Sequence, residues 1–134
     1  MRRAVIVVNI VMVSILVIDI FAALTVSHVE FDDDEVNQAI KDVPLRSAAL
    51  LLTFEALCFG IGIWGAVAFS TWQIYVALTM YSINFFVNLF SFNLAALLMA
   101  GFFAYPHIFF IQEIRKGIMT RDNYHNEEQS CCCV

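Results

Sequence analysis

Apolar side chains run almost unbroken through residues 45–112, and a second apolar run fills residues 4–27. A helix needs about 20 apolar residues to cross the hydrocarbon of a bilayer. The pattern therefore predicts four spans, at about 4–27, 45–69, 73–91 and 94–113. The long run is divided twice. Ser70, Thr71, Trp72 and Gln73 form a short interfacial turn, and Ser and Asn interrupt the run again at NLFSFN, residues 88–93. A helix passing unbroken through that second site would give three spans, with the ends on opposite sides. Between spans one and two, residues 28–44 (HVEFDDDEVNQAIKDVP) form the one sizeable loop. Within it, Asp34 can cap a short helix to Asp42 with Val36, Ile40 and Val43 on one face. Pro44 suits the first turn of the next helix, where no N–H is needed. Met-Arg-Arg before an apolar run also fits a cleaved secretory signal, but the run is long for one and Asp19 interrupts it.

The expected fold is an all-α integral membrane protein, a four-helix transmembrane bundle. Composition agrees: 61% of the 134 residues are hydrophobic and 14% charged, too little polar surface for a soluble domain. Four spans leave no room for a separate catalytic domain, and no enzyme activity is expected. Charge sets the orientation. Glu30, Asp32, Asp33, Asp34, Glu35 and Asp42 crowd the loop, with only Lys41 and Arg46 near them. Arg2, Arg3, Arg115, Lys116 and Arg121 flank the ends. Excess positive charge marks the cytoplasmic side, so both termini are expected in the cytoplasm and the acidic loop in a lumen or outside the cell. Trp72 and Tyr75 then fit an inner aromatic belt, and Phe90 and Phe92 an outer one. The membrane is the plasma membrane or an endomembrane. No basic run with interleaved aromatics supports nucleic-acid binding.

Two acids lie deep in the apolar segments, Asp19 and Glu55. At about 1.5 Å per residue, Asp19, Glu55 and Asn84 reach similar heights in the outer half, and Asn88 stands one turn further out. This set is expected to form a buried polar layer in which the two acids share a proton and bond Asn84. Three readings stay open. The layer is a lock that sets helix register, a proton or cation site on a transport path, or a contact for a basic residue on a partner subunit. Pro106 is expected to kink or loosen span four, and His107 serves there as a structural hydrogen-bonding group or a relay. No inverted repeat, zinc spacing or Ser/His/Asp or Cys/His arrangement is apparent. No metal, cofactor or soluble substrate is implied.

Lipid tails are as apolar as Leu, so small residues and hydrogen bonds must bring helices together. Span two carries Ala56, Gly60, Gly62, Gly65 and Ala66, and span four carries Ala96, Ala100 and Ala104 beside Gly101. These two spans are expected to approach closely, within the bundle or between copies. GIGIWG at residues 60–65 matches a dinucleotide pattern only by accident, since no strand precedes it.

Cys58 lies in span two as a small hydrophobe, whereas Cys131, Cys132 and Cys133 stand together before Val134. A thiol cluster beside a cytoplasmic membrane face suits S-acylation, palmitate for example. Prenylation of a C-a-a-X end and free or metal-binding thiols are the alternatives. Arg115, Lys116 and Arg121 of the tail, 114–134, can lie on anionic lipid, and Val134 offers a carboxylate to a peptide-binding domain. FDDDE lacks the spacing and Gly of a calcium loop, which leaves a solvated surface, a dock for a basic partner or weak divalent binding. There is no N-glycosylation sequon.

The layout is similar to that of tetraspanins and claudins in topology alone. Their outer loops carry cysteines, and the loops here have none. The expected function is that of a non-enzymatic accessory, scaffold or organising subunit, packing against other membrane proteins, itself and lipid. The alternative is a small oligomeric proton or cation channel or transporter built on Asp19 and Glu55.

Overall fold

The computed structural model describes residues 1–26 and 45–125. The acidic loop with its expected short helix, and the cysteines at 131–133, lie outside the described residues. Four helices follow in order: α1 (Arg2–Val26), α2 (Leu45–Ala68), α3 (Thr71–Phe90) and α4 (Leu94–Arg115). All four are long and apolar enough to cross a membrane. With 20–25 residues each, they measure about 30–38 Å, which matches a hydrocarbon core of about 30 Å. They run up, down, up and down. The beginning of α1 and the close of α4 share one end of the bundle, where the Met1 ammonium lies 3.5 Å from Glu113. This is called the terminal end below, and its opposite the far end.

The hairpins close without glycine. At the end of α2, Phe69 takes a left-handed φ of 56° and Ser70 N–H donates to the Gly65 carbonyl at 2.9 Å. At the end of α3, Phe92 takes φ 54° and Asn93 N–H donates to the Asn88 carbonyl at 3.0 Å. Both are six-residue capping turns that satisfy carbonyls left over at a helix end. Asn93 then caps α4, its side chain accepting from Ala96 N–H at 3.2 Å. Gly117, φ 71°, ends α4 by the same device, with Ile118 N–H donating to Glu113. The second break therefore falls at 91–93, within the predicted window, and α4 runs unbroken through Pro106.

Each helix packs on the next in sequence, and α1 touches α4 lightly to close the ring. Within the bundle the expected pairing of spans two and four does not form: α2 and α4 are diagonal. The small residues divide accordingly. A Cβ on Gly62 would fall 2.5 Å from Ala77 Cβ and 3.0 Å from Asn9 Nδ2. One on Gly65 would fall 2.7 Å from Gln73 Cβ and 3.0 Å from Ile74 N. These two glycines set the distance of α2 from α1 and α3. Gly60 faces outward with nothing within 4 Å, so it packs no helix of this bundle. Ala56 and Ala104 flank the far core, Ala100 is buried and Ala96 half-buried.

Two apolar clusters fill the interior. The terminal one comprises Val5, Ala66, Ile74, Phe110, Ile111 and Met119, and the far one Leu16, Phe59, Ala77 and Tyr81. Met119 and Tyr124 belong to a segment after α4 that folds back over the terminal end. Arg2 ties it down. Its guanidinium lies 4.5 Å from the Tyr124 ring centre and 5.0 Å from that of Phe69, and Nε donates to the Ala66 carbonyl at 3.1 Å. A cation suits that position, because the last carbonyls of α2 carry the negative end of its dipole.

Candidate polar core

Two hydrogen-bonded sets of polar side chains lie between the helices, while at the terminal end Gln73 Oε1 and Glu113 Oε2 are buried without a hydrogen bond. The first joins three helices between the apolar clusters. Asn9 of α1 and His107 of α4 are completely buried, and Tyr81 of α3 almost so. His107 Nδ1 lies 2.9 Å from the Phe103 carbonyl, and its Nε2 lies 2.9 Å from Asn9 Nδ2. Tyr81 O–H donates to Asn9 Oδ1 at 3.1 Å. A carbonyl only accepts, so Nδ1 must carry the hydrogen and Nε2 is left as an acceptor. Asn9 NH2 then donates to His107 while its carbonyl receives Tyr81. Every strong polar group of the three side chains finds a partner, the condition under which burial is tolerated. The Tyr81 ring packs 4.6 Å from Phe59 and 5.0 Å from His107, centre to centre. Gly62 makes room for the Asn9 amide, since any side chain there would press on it.

The second set lies toward the far end. Asn84 Nδ2 donates to Glu55 Oε1 across the α2–α3 interface. Asn88 does not reach Glu55. It donates along its own helix to the Asn84 carbonyl at 2.7 Å. Among the described residues, Glu55 has this hydrogen bond and no ion pair. Tyr81, Asn84 and Asn88 are three and four residues apart and share one face of α3. With Met12, Met99 and Phe103 they line an open cleft of about 170 Å³ between α1, α3 and α4. A ladder of polar side chains thus descends from Asn88 to Asn84 and Tyr81, and through Asn9 to His107. It stops there, closed by Val5, Ala66, Ile74, Phe110 and Ile111.

Asp19 is not part of either set. It is exposed and makes no hydrogen bond or ion pair with the described residues. The expected shared proton with Glu55 has no contact to rest on. Depth alone led to that expectation, and helix phase overturns it. The buried line of α1 passes through Val5, Asn9 and Leu16. At about 100° per residue, Asp19 stands about 40° from Val5, 60° from Leu16 and 80° from Asn9, roughly 60° off the mean of that line and on its exposed edge. Ile20 occupies the inward position, half-buried.

Sequence reasoning named His107 but missed its partners Asn9 and Tyr81. A signal existed: Asn9 and His107 both fall on the terminal side of their helix midpoints, so the height argument that linked Glu55 to Asn84 would have linked them too. Among the described residues no three His, Cys, Asp or Glu side chains gather as a metal site. Cys58 is a buried free thiol. Comparison with protein families, curated proteins and solved structures finds no match to this chain.

Proposed function

We propose that this chain is a non-enzymatic membrane subunit, an accessory or scaffold that works by packing sideways against other membrane proteins. Both termini face the cytoplasm in this reading, and Cys131, Cys132 and Cys133 carry acyl chains that hold the tail to the bilayer. One observation carries it. Asn9, Tyr81 and His107 bond one another in the interior, and Asn84 bonds Glu55, whereas Asp19 and Gly60 lie on the outside. Asp19, Gly60 and a continuous display of large apolar side chains all face outward. An outward acid on α1 and an unfilled glycine on α2 suit recognition within the membrane better than solvation by lipid. The test is size analysis and crosslinking after extraction in mild detergent, with hydroxylamine-sensitive labelling by an alkynyl fatty acid for the tail. A strictly monomeric chain with no crosslinked partner would sink the reading.

The polar ladder favours a second reading, proton or cation conduction through Glu55. Its support is the open cleft beside Asn84 and Asn88. Against it stand the apolar plug below His107 and the outward position of Asp19. Flux in liposomes decides: conduction requires a current that Glu55→Gln abolishes while the bundle stays folded.

A further inference from the structure

Five exposed hydroxyls along the helices share one device. Ser14, Thr25, Thr53, Thr79 and Ser82 are exposed, and each hydroxyl donates to the carbonyl four residues earlier, at 2.7–2.9 Å. A hydroxyl can hide in its own helix in this way because it is a donor. A carboxylate has no hydrogen to donate, and Asp19 has no partner among the described residues. It lies about five residues past the middle of α1, roughly 7–8 Å, well inside a half-thickness of about 15 Å. Its side chain is too short to snorkel out as Lys or Arg does. Ile15 and Ile18 flank it, both exposed, and Ala22 stands one turn further along with little bulk to hold a neighbour off.

Resting on the reading of this chain as a laterally packing subunit, we infer that Asp19 is the docking point for a transmembrane helix of another protein that carries Lys or Arg at the same depth. Charge complementarity selects this occupant. A bare carboxylate in hydrocarbon is costly, and a cation in contact removes most of that cost. A second copy of this chain has no such group to give. Arg2, Arg3, Arg115, Lys116 and Arg121 belong to the terminal end, about 24 Å from Asp19 along α1. Arg46 is the second residue of α2, about 15 Å along the helix from its middle, and Lys41 falls in the sequence among the acids of the 28–44 loop. Two copies meeting at Asp19 would bring acid against acid. Asp19 pairs instead with an incoming cation, Ile15 and Ile18 supply the apolar surround, and Ala22 lets the two backbones approach.

The test uses the full chain in phosphatidylcholine vesicles with a labelled Leu/Ala transmembrane helix as the probe. One version of the probe carries a single Lys about five residues from its centre, the other Leu. Energy transfer should report association about tenfold tighter for the Lys probe than for the Leu probe. Asp19→Asn should erase that difference and Asp19→Glu keep it. Asp19 is exposed, so both variants are expected to fold, and circular dichroism checks this. Equal binding of Lys and Leu probes overturns the role of Asp19 while leaving lateral packing intact. So does a Lys preference that survives Asp19→Asn. Transfer between labelled copies of the chain that vanishes in Asp19→Asn assigns the face to self-association and also overturns the inference. Failure of the parent reading looks different, as a chain that associates with nothing in native membranes.

Discussion

Single side chains hold this bundle by being satisfied rather than by being apolar. Replacing Asn9 with Leu strips His107 Nε2 and the Tyr81 hydroxyl of their partners at once. It is expected to cost about 1–2 kcal/mol, read as a lower midpoint in an SDS unfolding titration. Tyr81→Phe removes one bond and keeps the ring, so a loss of about 0.6 kcal/mol is expected. The two left-handed phenylalanines behave differently from each other. Phe92 is 94% exposed, so nothing repays its backbone conformation. Phe92→Gly should therefore raise the same midpoint by about 0.5–1 kcal/mol. Phe69 packs against Phe110, Tyr124 and Arg2, so Phe69→Gly should lower it.

At the scale of helices, membership was legible and facing was not. All four spans were visible in the chain because length and apolarity suffice to define a transmembrane helix. Their facing surfaces were hidden because each is apolar nearly all the way round, so hydrophobicity gives no preferred side. Buried and half-buried positions nevertheless follow an alternating three- and four-residue step: Ile74, Ala77 and Tyr81, then Asn84 and Asn88 on α3; Ala96, Ala100, Phe103, His107 and Phe110 on α4. That is the seam of a left-handed bundle. Small residues alone do not reveal it, as the glycines of α2 demonstrate. Gly62→Ala drives a Cβ into Ala77, so the helices must separate, at a cost of about 1–3 kcal/mol. Gly60→Ala meets nothing and should be neutral or stabilising by up to about 1 kcal/mol. Unfolding of the two variants side by side, in the same detergent, checks the contrast.

For the molecule as a whole, the polar ladder and the terminal cap divide the work. The ladder fixes register near mid-membrane, where lipid offers no competing hydrogen bonds. The cap closes the terminal end by clasping Arg2 between Phe69 and Tyr124, which joins the first residues of the chain to the segment after α4. Arg2→Ala should release that segment at a cost of about 1 kcal/mol, seen as roughly fivefold faster amide hydrogen exchange at 118–124 with α1–α4 unchanged. Tail placement thus depends on an aromatic–cation clasp as well as on any lipid attached further along.

The chain by itself determined the four helices long and apolar enough to cross a membrane, the two hairpin positions and the bond between Glu55 and Asn84, because those depend on length, hydropathy and height along a helix. Tertiary structure alone decided which faces meet, and so placed Asn9, Tyr81 and His107 together, diverted α2 from α4 and turned Asp19 outward. The physical reason is rotational phase: depth accumulates at a fixed rise per residue and can be counted from the sequence, whereas the angle at which one rod meets the next is set by small residues and paired polar groups contributed by every rod at once.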